Sequence, residues 1–237
     1  MAGILFIISA PSGSGKSTLV TQLRTLVEGL DFSVSYTTRA PRGSEEDGRE
    51  YHFTTRDEFE AMIRRGEFME WAEVFGNYYG TAVAALKHAE RLGKDLLLDI
   101  DVQGAKQVMQ KLASAVSIFI LPPSPQVLEM RLRNRSEAES VASATAISEA
   151  DLEKRLDQAK HEVKQIRNYK YALVNDVLDH AVAEMRAIVL CERGVRDGVQ
   201  AIASSCRTDA ASPRLRAALR RESSARHRRS SPIGTRR

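Results

Sequence analysis

Residues 13–18 read Gly-Ser-Gly-Lys-Ser-Thr and follow the apolar run ILFIISA after only Pro11 and Ser12. Glycine packs nothing and costs backbone entropy, so two glycines leaving a buried strand mean that something must approach bare backbone. Consecutive N–H groups in such a turn form a nest for anionic oxygens. The helix that follows adds unpaired donors and its dipole. Lys16 brings a charge that can follow a phosphate during transfer, and the Ser17 hydroxyl can hold Mg²⁺. A strand, a glycine-rich turn and a helix opening with Lys-Ser predict a phosphate-binding P-loop, and so a user of nucleoside triphosphates. The full pattern calls for glycine where this chain has Ala10, a position that alanine fills if its φ is negative. The chain has no NKxD motif of the kind guanine-reading switches carry, and 237 residues are few for a large NTP-driven machine.

A second set of residues reads as a phosphomonoester site. FSVSYTTRAPR places Arg39 and Arg42 three apart, Tyr51 lies in REYHF, and GEFMEWAEVFGNYYGT supplies Glu70, Tyr79 and Thr81. Two guanidinium forks with phenolic hydroxyls suit a phosphate. A lone carboxylate in so basic a group suits the Watson–Crick edge of guanine, whose N1–H and N2 amine are adjacent donors. Ser35 and Thr81 can donate to O6. Adenine lacks N1–H and would leave these groups mismatched, which hydrogen-bonding sites reject strongly.

These residues need elements to hold them. Residues 3–9 predict a buried strand, and 16–28 a helix with Leu19, Leu23, Leu26 and Val27 inward, stopped by Gly29. From 32 to 80 the polar texture predicts short strands and loops, followed by a helix over 82–91. DLLLDID (95–101) predicts a second buried strand, 105–112 a helix, and AVSIFIL a third strand closed by Pro122 and Pro123. Ser124 and Pro125 are a good helix start, with the helix running to about Asn134. The Ser- and Ala-rich stretch 136–147 reads as a mobile loop, Ser148–Arg167 as a charged helix, YALVND as a fourth strand and 177–193 as the last helix. Strand–helix alternation predicts an α/β fold with a parallel sheet covered by helices.

SAPSGSGKST, VSYTTRAPR, EYHF, EFMEWAEVFGNYYGT, LLLDIDVQG and LEKRLDQAKHE, in this order over about residues 3–195, together resemble the guanylate kinase family. The resemblance implies a three-layer P-loop nucleoside monophosphate kinase fold. Its parallel-sheet core would comprise 1–32 and 94–197, its small mixed α+β GMP-binding subdomain 33–93, and its helical lid 134–160. The implied reaction is phosphoryl transfer from ATP to GMP or dGMP, with Mg²⁺. Ser12, Gly13, Ser14, Gly15, Lys16, Ser17 and Thr18 would then hold ATP, with Asn175 near its adenine. Arg39, Arg42, Tyr51 and Tyr79 would take the GMP phosphate, and Ser35, Glu70, Thr81 and Asp101 the guanine. Ser17, and Asp99 through water, would hold the metal. Arg131, Arg135 and Arg155 would be lid-side arginines acting in catalysis with Lys16 and Arg39. The stretch between Arg135 and Arg155 is longer than in bacterial members. Two other readings share part of the pattern. A kinase for ribose 1,5-bisphosphate would not need the Glu70, Ser35 and Thr81 set, and a scaffold module would lack a working P-loop.

The chain carries a net charge of +4, and 43% of its residues are hydrophobic. Residues 198–237 hold ten arginines against Asp209 and Glu222, so this tail alone makes the chain basic. It lacks apolar periodicity and is expected to be disordered. Arginine-rich tails can bind nucleic-acid phosphates, but this one has no aromatics for stacking and is assigned no role. Cys191 and Cys206 form no CxxC pair, which argues against a disulfide framework or zinc site. No apolar run approaches membrane-spanning length and no secretion signal opens the chain, so the expected location is the cytoplasm.

Overall fold

The computed structural model describes residues 3–143 (backbone alone over 138–143), 148–195, 197–209 and 212–218. The first apolar run becomes strand β1 (Leu5–Ser9), followed by helix α1 (Lys16–Leu26) and a short strand β2 (Leu30–Phe32). The polar middle of the chain holds β3 (Tyr36–Thr37), β4 (His52–Phe53), α2 (Arg56–Arg64), β5 (Phe68–Val74), β6 (Asn77–Ala82) and α3 (Val83–Leu92). It is succeeded by β7 (Asp95–Asp99), α4 (Val102–Lys111), β8 (Val116–Leu121), α5 (Pro125–Ser143), α6 (Glu149–Val163), a 3-10 turn (Lys164–Asn168), β9 (Tyr171–Val174), α7 (Leu178–Glu192) and α8 (Gln200–Ser205).

Five parallel strands form the main sheet in the order β2-β7-β1-β8-β9. Strands of a parallel sheet are buried on both faces, which is why LFII, LLL and IFIL are continuous apolar runs. Phe6, Ile8, Leu97 and Ile118 face Leu19 and Leu23 of α1 and Met185 and Ile188 of α7. Ile7, Leu98 and Phe119 point the other way, into a layer with Ala105 and Val108 of α4 and Val163 of α6. Leu128 and Leu132 of α5 pack on Leu152 and Leu156 of α6. The middle of the chain builds a second sheet, β4-β3-β6-β5, in which β3 runs parallel to β4 and antiparallel to β6. Its apolar centre is Phe59 of α2, stacked on Phe68 at 4.3 Å and on Tyr78 at 5.2 Å. No helix among the described residues is long and apolar enough to cross a membrane.

Helix ends follow local chemistry. Thr55 caps α2 by accepting the Glu58 N–H, and Ser124 Oγ accepts the Val127 N–H at the start of α5. Gly93 ends α3 at φ 62.

Four expectations change. β2 is an edge strand of three residues, too short to carry a pattern. Helix α1 ends at Leu26, which is exposed rather than inward. Helix α5 does not stop near Asn134 but continues to Ser143, through part of the expected mobile loop, because alanine and glutamate there are strong helix formers. Residues 144–147 of that loop lie outside the described residues. The tail is the largest correction. Residues 200–205 are helical as α8, 213–218 form a further helical turn, and Ala203, Cys206, Leu215 and Ala218 are buried. Ala172 N–H donates to Cys206 O at 2.7 Å, and Tyr171 bridges antiparallel to Arg207. The tail orders because it covers the otherwise unpaired edge of β9. Residues 219–237 lie outside the described residues.

Candidate functional site

The loop from β1 into α1 has the geometry its glycines foretell. Gly13 and Gly15 take φ 85 and 82, and Ser14 N–H donates to Pro11 O at 3.1 Å. Gly15 is the N-cap of α1 and has no side chain to satisfy the first-turn donors, which stay available to an anion. The glycines also answer to crowding within the protein. A Cβ on Gly13 would stand 3.2 Å from Leu132, and one on Gly15 only 2.5 Å from Asn175 Nδ2. Ala10, where the pattern wants glycine, is a buried core residue without a positive φ. Ser17 and Thr18 are exposed at the first turn.

Pairing of Ile8 with Asp99 brings the C-terminal ends of β1 and β7 side by side. Lys16 Nζ thereby forms an ion pair with Asp99 and donates to Ile100 O at 3.1 Å. Burial works to lower the Lys16 pKa, but Asp99 outweighs it, and the ammonium titrates above its ordinary value. Arg131 of α5 donates to Ser14 O at 3.2 Å, and the buried Asn175 donates to the same oxygen at 2.7 Å. Asn175 therefore holds the loop itself, a contact the expected place beside adenine does not include. Arg135 lies one turn beyond Arg131 and is exposed. Arg155 Nη1 reaches Ser136 Oγ at 3.3 Å, and its guanidinium lies 5.7 Å from the Phe75 ring at the β5–β6 turn.

The second cluster is built mainly on the smaller sheet. Arg39 is buried, donates to Ala40 O at 2.6 Å and to Glu45 Oε1 at 3.0 Å, and sits over the Tyr51 ring at 5.3 Å. Glu45 also accepts the Arg42 N–H at 2.8 Å. Burial favours its neutral form, yet Arg39 and the Arg42 backbone hold Glu45 below its usual pKa. Sequence reading missed Glu45, because an acid in SEED looks like a solvated loop charge. Tyr51 and Tyr79 meet edge to face at 5.9 Å. Ser35 is buried just before β3, and its carbonyl accepts the His52 N–H at 2.9 Å.

Glu70 is 3% exposed. A register shift between Phe68 and Glu70 sets it opposite Thr81, whose hydroxyl donates to Glu70 Oε1 at 2.6 Å. The Thr81 proton thus goes to the acid and not outward, which makes Thr81 an orienting group for Glu70. Asp101 caps α4 by accepting the Gly104 N–H at 2.8 Å. A Cβ on Gly104 would lie 2.1 Å from Glu70 Oε2, so the glycine makes room for the carboxylate, a role not seen in the sequence. Burial, with Asp101 adding repulsion against the Thr81 hydrogen bond, raises the Glu70 pKa to about 7. Gly104→Ala is expected to displace Glu70 and raise the KM for a purine monophosphate by about a hundredfold, with the ATP KM little changed. Initial rates with each substrate varied in turn check this.

The two clusters adjoin. Tyr51 feels Asp99 and Lys16 of the first cluster and Arg39 of the second, and burial with Asp99 holds its hydroxyl above the usual tyrosine value. Of the two acids in DID, Asp99 pairs with Lys16, and Asp101 acts on both clusters, at Lys16 and at Glu70.

Comparison with known proteins agrees with this geometry. The guanylate kinase family profile matches residues 3–192. The guanylate kinase of Koribacter versatilis (strain Ellin345) is 54% identical over 200 residues, 84% of this chain and 83% of the relative. That of Geobacter metallireducens is 45% identical over 191 residues, 81% of this chain and 90% of the relative. The crystal structure of guanylate kinase from Anaplasma phagocytophilum superposes with a TM-score of 0.65 at 31% identity, covering 89% of this chain and 97% of that one. Family profile, relatives and fold coincide on one assignment, and this chain belongs to the guanylate kinase family.

Proposed function

We propose that this chain transfers the γ-phosphoryl group of ATP to GMP, giving ADP and GDP, in the cytoplasm and with Mg²⁺. The observation that carries the reading is the juxtaposition of the Lys16–Asp99 loop with the buried Glu70 across Tyr51 and Asp101. The loop 12–18 cradles the triphosphate through main-chain donors, with Lys16 between the β- and γ-phosphates. Arg39, Arg42, Tyr51 and Tyr79 grip the GMP phosphate. Glu70 accepts guanine N1–H and N2–H, with Thr81 orienting the acid and Ser35 and Asp101 lining the base.

Among the described residues no group of three His, Cys, Asp or Glu could hold a metal alone. One exposed hydroxyl, Ser17, and one carboxylate, Asp99 beside Lys16, suit a cation held mostly by nucleotide phosphates, with Ser17 as a protein ligand and Asp99 acting through water. Mg²⁺ there would draw charge from the β- and γ-phosphate oxygens. The nucleophile is a phosphate oxygen of GMP, already anionic, so no general base is required. It forms a bond to the γ-phosphorus as the bond to the β–γ bridging oxygen breaks, and ADP leaves. Lys16, Arg131, Arg135 and Arg155 neutralise the charge in motion, and the Arg39 clamp sets the line of attack. The contact of Arg155 with Phe75 joins the helix α6 side to the GMP side, which helps exclude water that would otherwise hydrolyse ATP.

ADP release from ATP and Mg²⁺, followed with GMP, dGMP, AMP and ribose 1,5-bisphosphate in turn, tests the reading. Turnover is expected with the guanine monophosphates and to be lower by orders of magnitude with the others. Equal use of AMP or the sugar phosphate, or no turnover at all, would overturn it.

A further inference from the structure

Asn175 fixes the orientation of one peptide in the phosphate loop. Its amide and Arg131 both donate to Ser14 O, at 2.7 and 3.2 Å. In a trans peptide the carbonyl and the next N–H point in opposite directions. Holding the Ser14 oxygen against Asn175 therefore turns the Gly15 N–H away from Asn175 and keeps a repulsive carbonyl out of the anion cradle. The placement of Asn175 depends in turn on its chain neighbours, and both are gripped by Arg214. Its Nη2 donates to Val174 O at 2.7 Å, and its Nε donates to Asp176 Oδ2 at 3.0 Å, with Nη2 also on Asp176 Oδ1. Its Nη1 donates to Glu184 Oε1 of α7 at 2.5 Å. Without this guanidinium, two carboxylates would face each other beside Asn175.

Arg214 lies beyond residue 192, where the family match ends. It is carried on the helical turn 213–218, which is anchored by burial of Leu215 and Ala218 in the same core layer as Ala172 and Val174. We propose that residues 200–209 and 212–218 form a strap and that Arg214 is a positioning residue for the triphosphate loop, acting through Asn175 on Ser14. This rests on reading the Gly13–Thr18 loop as the ATP site.

The test uses the full chain and measures ATP affinity by calorimetry with Mg²⁺, the KM for ATP and the KM for GMP. Arg214→Ala is expected to weaken ATP binding about tenfold, the worth of one charge-assisted hydrogen bond, with the GMP KM within about twofold. Asn175→Ala is expected to weaken ATP comparably, and the double variant to be no weaker than Asn175→Ala alone. Should the alanine variant fold poorly, Arg214→Lys, which keeps the charge without the fork, is expected to weaken ATP binding several-fold with the GMP KM unchanged. A lower melting temperature with unchanged ATP affinity, or effects that multiply in the double variant, would overturn the strap. Wild-type chain that binds no ATP would overturn the loop reading, and the strap with it.

Discussion

Replacing Lys16 with methionine is expected to lower kcat for GMP phosphorylation by about a hundred- to a thousandfold, the scale seen when one preorganised electrostatic donor is removed. Methionine keeps length and flexibility and removes the charge with its N–H donors. Lys16 pairs with Asp99 and donates to Ile100 O. Asp99 holds the ammonium charged against burial, so the cation is fully present when the triphosphate arrives. The variant leaves Asp99 without that partner in a part-buried place. The cost is about 1–3 kcal/mol, which at this chain length lowers the melting temperature by only about 2–12 °C. Folded protein with collapsed turnover is the expected outcome, and near-normal turnover would contradict the loop's role. Rates at saturating ATP and GMP, with a melting curve for each form, decide it.

Glu70→Gln is expected to lower kcat/KM for GMP by about a thousandfold, because one of two adjacent guanine donors then faces an amide N–H. The same substitution is expected to stabilise the empty protein above neutrality. A buried carboxyl whose pKa rises from 4.5 to about 7 holds its proton more tightly folded than unfolded. Its contribution to stability is therefore complete below about 4.5 and lost as pH rises through about 7. Glutamine never ionises, so near pH 8 the variant is expected to melt higher than wild type, and near pH 4 the difference is expected to vanish. Activity runs the other way. Only the carboxylate accepts both guanine donors, so wild-type kcat/KM for GMP is expected to fall about tenfold per pH unit below about 7. The GMP phosphate titrates near 6 in both proteins, so the Glu70 limb is the part that disappears in the glutamine variant. Identical profiles for the two proteins would show that Glu70 does not read the base.

The parts of this site legible in the sequence are those whose chemistry is contiguous. GSGKST declares its turn because strand, glycines and Lys-Ser are neighbours along the chain. DLLLDID declares a buried strand because parallel strands are apolar on both faces. Arg39 and Glu70 stood out by type, as two forms of charge in one short polar segment. What stayed hidden depends on distant contacts. Glu45 looks like a solvated acid until Arg39 is seen buried against it. Gly104 looks like an ordinary helical glycine until Glu70 is seen over its Cα. The bond from Asn175 to Ser14 O joins residues 161 apart along the chain. The sequence of the strap reads as disordered because its buried side chains, Ala203, Cys206, Leu215 and Ala218, are mostly small and scattered among polar and basic residues. No period betrays them, and their order comes from the edge of β9.

A crystal structure of the full chain with GMP and a non-hydrolysable ATP analogue addresses the pairing of the two pockets most directly. The expected result places guanine N1 and N2 within about 3 Å of the Glu70 carboxylate. The GMP phosphate would lie on Arg39 and Arg42, with its oxygen about 3–3.5 Å from the γ-phosphorus held by Lys16. A guanine edge turned away from Glu70, or a monophosphate bound apart from the Gly13–Thr18 loop, would contradict it.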